Sequence, residues 1–360
     1  AINHLSEAGS PELKERFLKP SISGDALAAI AVTEPGGGSD VAAMLTTAVR
    51  EDDHYIINGS KTFITNGVYS DFVVVACKTD AKAGVNGMSL IVVERDTPGF
   101  TATKLEKMGW HTSDTGELAF DHVKVPVSNL IGKENMGFFY VMESFQLERL
   151  VAGIMANAGS EKVLEITMKY MDERETFGRK LKKYQVLRHE IVDMYTELEA
   201  AKQLTYNTSW QFANGLVPVK ECSMVKLHCT ELSKKIVDSC FQMFGGFAFM
   251  DDFPISRAYR DTRISTIVGG TSEIMREILA KMVIDDVRYK KVYNEANATG
   301  EAKPDLTAKD IIQSLPRRLK VDRASDVNQT FNFDISGEGG GQFTVTITNE
   351  KCEVSDGLND

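Results

Sequence analysis

From Met136 to about Asp172 the chain contains no proline and carries apolar residues at helical spacing, which commits it to one long helix. Val141, Phe145, Glu148, Ala152 and Met155 step by four, three, four and three, so they share one face. Leu147, Leu150, Val151 and Ile154 line the adjoining face, an apolar sector too wide for a surface helix. Glu148 is the only charge on its stripe. A carboxylate among apolar neighbours loses solvation and its pKa rises, which is how a protein obtains a base for work near neutral pH. A structural ion pair with an arginine also perturbs a carboxylate, and periodicity alone leaves both readings open.

A helix of that kind needs partners. Four helical runs, roughly Met136–Asp172, Gln185–Asn214, Val219–Phe244 and Thr271–Arg288, predict an antiparallel four-helix bundle within 129–289. Near the start, Leu13–Leu18 reads as a short helix with Ser10-Pro11 as cap and first turn, and the apolar segment Ala26–Val32 follows. Between these regions, alternation marks Leu45–Arg50, His54–Ile57, Lys61–Ile64, Phe72–Lys78, Met88–Glu94, Phe100–Lys104 and Glu117–Val125. Asn58-Gly59, between two such runs, reads as a hairpin turn. Short strands with close turn signals predict a β-barrel or sandwich over 31–128, with 1–30 the remnant of a preceding helical domain. From Lys290 the composition turns polar, and 290–304 reads as a tether. Within 305–360 the pattern is a helix over Thr307–Leu319, a strand Gln329–Ser336, a turn Gly337–Gly341 and a strand Gln342–Thr348. The expected fold class is α+β.

Composition narrows the function classes. A net charge of −10 argues against nucleic-acid binding, which needs basic clusters. No apolar run approaches the roughly 20 residues of a membrane span, and no secretory signal opens the chain. Five cysteines without a CxxC pair fit an intracellular, reducing compartment, with mitochondrial matrix, peroxisome and bacterial cytoplasm all open. The six histidines show no metal-like spacing, so no metal site is expected. A GxGxxG fingerprint is absent, which leaves a nicotinamide site without support.

Thr33-Glu34-Pro35-Gly36-Gly37-Gly38-Ser39-Asp40 can turn tightly and present N–H groups to something close by, although a glycine turn is commonly just a loop. The wider stretch Ala31–Val41 resembles the first signature of the acyl-CoA dehydrogenases. The resemblance continues in Thr62-Phe63-Ile64-Thr65-Asn66-Gly67, Arg174-Glu175-Thr176-Phe177-Gly178, Gln242-Met243-Phe244-Gly245-Gly246 and Ile267–Ile274, and covers Ala1 to about Arg288. It implies a β middle domain followed by a helical bundle, FAD as cofactor, and α,β-dehydrogenation of an acyl-CoA in fatty-acid or branched-chain catabolism.

Residue by residue, the resemblance places Ile30, Val32, Thr33, Gly38, Ser39, Phe63 and Thr65 at the flavin, with Ser39 also on the thioester arm. Arg174, Phe177 and Gln185 would reach the FAD of a neighbouring subunit, Gln242, Gly245 and Gly246 its adenosine part, and Thr271 and Glu273 a cofactor loop. Lys78, Gln146, Leu147, Arg149, Gly269 and Gly270 would contact substrate. Plainer readings exist: Gly245-Gly246 as a helix stop, Arg174 as a charge tuned to a helix dipole, Lys78 as a solvated strand end.

Gly269 departs usefully from the commonest family pattern, in which the catalytic glutamate stands at that position. Isovaleryl- and long-chain-type members carry the base on the helix corresponding to Met136–Asp172, and the matching residue is Glu148. The resemblance further implies that an N–H at the Gly269 position polarises the thioester carbonyl. Glycine there leaves room, so a branched or long acyl chain is expected. An electron-transferring flavoprotein is the implied acceptor and a homotetramer the implied assembly. An acyl-CoA oxidase would share fold, cofactor and base; from a different class, a lipid-binding or transfer protein with an inactive dehydrogenase module is the alternative. The order of elements in 305–360 resembles the opening of a sterol-carrier-protein-2-like domain, about half of one, so exposed strand edges and no closed lipid tunnel are expected.

Overall fold

Strands β4 (Phe72–Lys78) and β5 (Met88–Glu94) are apolar on both faces, and each face is spent on a different core. Val73, Val75, Cys77, Ile91 and Val93 pack against β3 (His54–Thr65), β6 (Phe100–Lys104) and β7 (Thr115–Pro126). Phe72, Val74, Ala76, Leu90 and Val92 face a second core made with the N-terminal helices and the start of a long helix. In this computed structural model residues 1–288, 308–318, 327–336, 340–349 and 351–358 are described. The strand path is β6-β7-β3-β2-β4-β5-β8, with β2 at Thr47–Glu51, β8 at Leu130–Ile131, and β1 (Ala28–Ala31) added parallel to β4.

β4, β5 and β6 have the bounds the alternation gave. Asn58-Gly59 does not turn the chain. His54–Ile57 and Lys61–Ile64 are one strand, β3, with a register shift between Ile57 and Gly59. The hairpin lies earlier, between β2 and β3, where Asp52 has φ of 50°. Gly59 is needed for a close approach instead, since a Cβ there would sit 2.5 Å from the Thr46 hydroxyl.

Ahead of the sheet lie α1 (Ile2–Ala8), α2 (Pro11–Leu13), a π-helical turn (Lys14–Leu18) and α3 (Lys19–Ser23). Ser10 caps α2, its hydroxyl accepting from the Leu13 N–H, with Pro11 in the first turn. After β8 come α4 (Gly137–Glu173), the short hairpin β9 (Glu175–Thr176) and β10 (Arg179–Lys180), α5 (Gln185–Ala213), α6 (Val219–Phe244), α7 (Pro254–Thr262) and α8 (Ser272–Val283). The expected four-helix bundle takes the form of three long helices, α4, α5 and α6, with α7 and α8 laid on α6.

The buried side of α4 is not the apolar stripe that periodicity marked. Val151, Ile154 and Met155 are exposed at 41%, 44% and 62%. Buried on α4 are, among others, Ser144, Leu150, Gly153, Ala156, Asn157 and Ser160, largely small residues, and α4 packs on α6. A Cβ on Gly153 would fall 2.2 Å from a Val225 methyl. No helix of the described residues is long and apolar enough to cross a membrane.

The chain divides into two compact units, 1–296 and 297–360. The second contains α9 (Ala308–Gln313), α10 (Leu315–Arg318) and an antiparallel sheet β11-β12-β13 (Gln329–Ile335, Gly341–Thr348, Lys351–Asp356) around Ile312, Phe343 and Val345. The third strand adds to the two expected. The tether at 290–304 lies outside the described residues, as do 337–339 of the expected turn.

Candidate functional site

The glycine loop after β1 is fastened by a buried ion pair. Lys61, wholly buried in β3, donates to the Glu34 carboxylate at 2.8 Å and to the Val32 carbonyl at 3.0 Å. Glu34 also accepts from the N–H groups of Leu45 (2.6 Å) and Thr46 (2.9 Å). Burial pushes the Glu34 carboxyl up, but the Lys61 ammonium and these N–H groups outweigh it and hold the carboxyl below its ordinary value. The Thr62 N–H donates to the Thr33 carbonyl at 2.9 Å. Val32, Thr33 and the turn after them are thereby fixed to the sheet.

That loop forms one wall of a cleft of about 770 Å³. Val32, Thr33, Gly38, Ser39 and Phe63 line one side; Phe138, Met142, Phe145 and Arg149 come from α4, and Gly269, Gly270, Thr271, Ile274 and Ile278 close the third side. Phe63 is the outlier. Its φ is 59°, a left-handed conformation rare for an aromatic residue, and its ring is 71% exposed. The strained backbone thus presents the ring to the cleft instead of packing it into the core.

Glu148 does not contribute to the lining of this cleft, although Phe145 and Arg149 on the same helix do. It is half-buried, and burial raises its pKa above the ordinary carboxylate value; the Ala1 amino group and Arg149 oppose that rise. Arg149 is 5% exposed and donates to the Gln146 side chain at 3.3 Å. Gln146 and Leu147 line a smaller pocket of about 190 Å³ with Asn3, Glu7 and Phe212. Ile30 is half-buried in β1 against the second core, Thr65 is exposed at the end of β3, and Lys78 ends β4; none of the three lines the cleft.

The remaining expected cofactor residues gather elsewhere. Arg174, Gln242, Gly245 and Gly246 line a cleft of about 490 Å³ with Tyr170 and Phe247, and the Arg174 guanidinium lies 5.4 Å from the Phe247 ring centre. Phe177, with φ of 49°, is 99% exposed beside it in sequence, and Gln185 is exposed at the first turn of α5. Arg149 and Arg174 stand 25 residues apart on or at the end of α4, about 37 Å along its axis. Thr271 caps α8 by accepting from the Ile274 N–H, and it borders both the large cleft and a polar pocket of about 530 Å³ that also contains Glu273, Lys234, Lys235 and Arg263. Its own N–H and the Thr271 hydroxyl hold the Glu273 carboxyl below the usual range.

Two lysines escaped the sequence reading. Lys61 is described above. Lys226, wholly buried on α6, donates to the Gly270 carbonyl at 2.5 Å. Its signal was available: it is a lone charge on the apolar stripe Cys222, Val225, Cys229, Ile236, the same kind of mark that singled out Glu148.

The sequence family "Acyl-CoA dehydrogenase, middle domain" matches residues 29–123, and "Acyl-CoA dehydrogenase, C-terminal domain" matches 135–284. A mitochondrial isovaleryl-CoA dehydrogenase of Pongo abelii is 38% identical over 283 residues, covering 78% of this chain and 67% of that protein. The crystal structure of an acyl-CoA dehydrogenase from Geobacillus kaustophilus superposes with a TM-score of 0.77 at 42% identity, over 79% of this chain and 75% of that one. The structure titled PigA with FAD and proline superposes with a TM-score of 0.77 at 29% identity, over 80% of this chain and 75% of that one.

Proposed function

Because this chain belongs to the acyl-CoA dehydrogenase family of FAD-dependent oxidoreductases, we propose that it removes hydrogen from the α and β carbons of an acyl-CoA thioester, with Glu148 taking the α-proton. The observation that carries the reading is a carboxylate made more basic by burial, one helical turn from Phe145 in the cleft wall, in a chain whose 269 position holds glycine and so offers no carboxylate of its own.

FAD, when bound, supplies a hydride acceptor. The residues fit such a group: the exposed Phe63 ring offers a stacking face, Val32 an apolar contact, and Thr33 and Ser39 hydroxyl donors. Arg174, with Gln242, Gly245 and Gly246, suits the phosphates and adenosine of a dinucleotide, an arginine fork matching phosphate oxygens in pairs. Arg149 in the wall of the large cleft and Arg174 stand about 37 Å apart along α4, and on this reading a second copy of the chain supplies Arg174 and its neighbours to each FAD. Phe177 and Gln185, both exposed, belong to that same contact.

Glu148 as its carboxylate would receive the proton from the substrate, and burial raises its proton affinity in the direction that task needs. The thioester carbonyl is held at the Gly269 turn, where developing charge on oxygen meets backbone N–H groups. Glycine at 269 leaves space, and the apolar wall of Phe138, Met142, Ile274 and Ile278 suits a medium-to-long or branched acyl chain. An electron-transferring flavoprotein is the proposed acceptor, and an intracellular compartment the proposed location. The second unit, with its helix-then-strands order, is proposed as a lipid-binding appendage of sterol-carrier type.

Glu148→Gln tests the reading. FAD and acyl-CoA binding should persist while turnover falls by about a thousandfold or more. Turnover within tenfold of the parent would remove Glu148 from the mechanism, and peroxide formation in air by the parent would make the chain an oxidase.

A further inference from the structure

The Gly269–Gly270 turn is an open piece of backbone at a place where the proposed chemistry needs a rigid one. Both residues have left-handed φ, 68° and 96°, and a Cβ on Gly269 would meet nothing within 4 Å. Among the described residues neither N–H takes part in a backbone hydrogen bond. One bond to a side chain ties this turn to the helices: the Lys226 ammonium, buried on α6, donating to the Gly270 carbonyl. An ammonium buried for a single backbone carbonyl is an expensive way to hold a turn, and an apolar side chain would serve better if packing were the only need.

We propose that Lys226 is a positioning residue: its grip on the Gly270 carbonyl fixes the turn so that the Gly269 N–H is aimed at the carbonyl oxygen of the bound thioester. This rests on the acyl-CoA reading above and adds to it the residue that makes the turn rigid. The groups that face Lys226 are Arg149 from α4, Glu231 on its own helix and Glu273 from α8. Burial, aided by Arg149 and opposed by the two glutamates, pulls the Lys226 ammonium down to about 8, so the grip loosens as pH rises above that value.

The test separates the clamp from the reading beneath it. FAD-loaded protein carrying Glu148→Gln, which leaves a thioester unreacted, is titrated calorimetrically with dodecanoyl-CoA and with dodecyl-CoA, the thioether that lacks the carbonyl oxygen. The parent background should prefer the thioester by about tenfold, the worth of one backbone hydrogen bond to a neutral carbonyl. Adding Lys226→Met should abolish that preference with dodecyl-CoA affinity and FAD content unchanged, and Lys226→Arg should restore part of it. With the lysine present, the preference should fade above about pH 8. A preference that survives Lys226→Met, or an equal weakening of both ligands, overturns the clamp. Failure of the parent background to bind either ligand overturns the acyl-CoA reading, and the clamp with it.

Discussion

The two clefts that collect the expected cofactor residues are built in opposite ways. The large one is fastened from inside: Lys61 to Glu34 and Val32, Thr62 to Thr33, Lys226 to Gly270, each bond buried or nearly so. The cleft at the far end of α4 is open. Phe177, three residues beyond Arg174, projects into solvent at 99% exposure. Where bonds are to be made and broken, donors must be in place beforehand, because reorganisation during the reaction raises the barrier. Where a cofactor is only held, the surface can wait for a partner to complete it. The contrast accords with the proposal of chemistry in the first cleft and assembly at the second.

The sharpest way to break the contrast is to attack the internal fastening. Lys61→Met strands the buried Glu34 carboxylate, and removal of one partner from such a pair costs about 3–5 kcal/mol. Chemical denaturation should show that loss. A loss below about 1 kcal/mol would mean that the loop is not held by this pair.

Next in size comes the assembly cleft. Arg174→Ala should weaken FAD binding by about ten- to a hundredfold, the worth of charge-assisted bonds to phosphate, with melting of the apoprotein little changed. Mixed with Glu148→Gln chains and reassembled, it should regain activity, since a site drawing Glu148 from one copy and Arg174 from the other is intact. Random pairing gives about a quarter of the parent rate. No recovery in the mixture would place both sets of residues in one chain's site.

Phe63→Gly should move two quantities in opposite directions. Relief of its φ of 59° should stabilise the protein by up to about 1 kcal/mol, while loss of the exposed ring weakens FAD binding. The smallest effect concerns pH. Burial raises the Glu148 pKa above 4.5. The folded state then binds that proton more tightly than the unfolded state does. Its stabilising contribution is complete below pH 4.5 and is lost as pH rises through the folded value. Glu148→Gln should therefore melt with the parent at low pH and above it near neutrality, by on the order of a degree or two.

Much of this was legible in the sequence, for reasons that can be named. β4, β5 and β6 were bounded correctly because turn residues bracket each run. Val219–Phe244 was bounded correctly because Pro218 and Gly245 stand just outside it. Asn58-Gly59 misled because the same glycine freedom that makes a hairpin also makes a bulge, and only the approach of Thr46 tells them apart. The buried face of α4 was misread in its middle because small residues such as Gly153, Ala156 and Ser160 are buried there, while larger apolar ones at 151, 154 and 155 face outward. Val32, Thr33, Gly38, Ser39 and Phe63 fell in one cleft and Arg174, Gln242, Gly245 and Gly246 in another, a division that spacing does not show, while Ile30, Thr65, Lys78 and Glu148 line neither. Lys226 could have been marked as a lone charge on an apolar stripe, but the partners that explain it and Lys61, the Gly270 carbonyl for one and the Glu34 carboxylate and Val32 carbonyl for the other, come together only in the fold.

The most direct test of the central claim is exchange of the α-proton. FAD-loaded protein is incubated in deuterated water with an acyl-CoA thioester, and deuterium at the α carbon is followed by mass spectrometry. With Glu148 as the base, the parent should catalyse incorporation and Glu148→Gln, still yellow with FAD and still binding the thioester, should not. Incorporation at the parent rate by the Glu148→Gln protein would contradict the account.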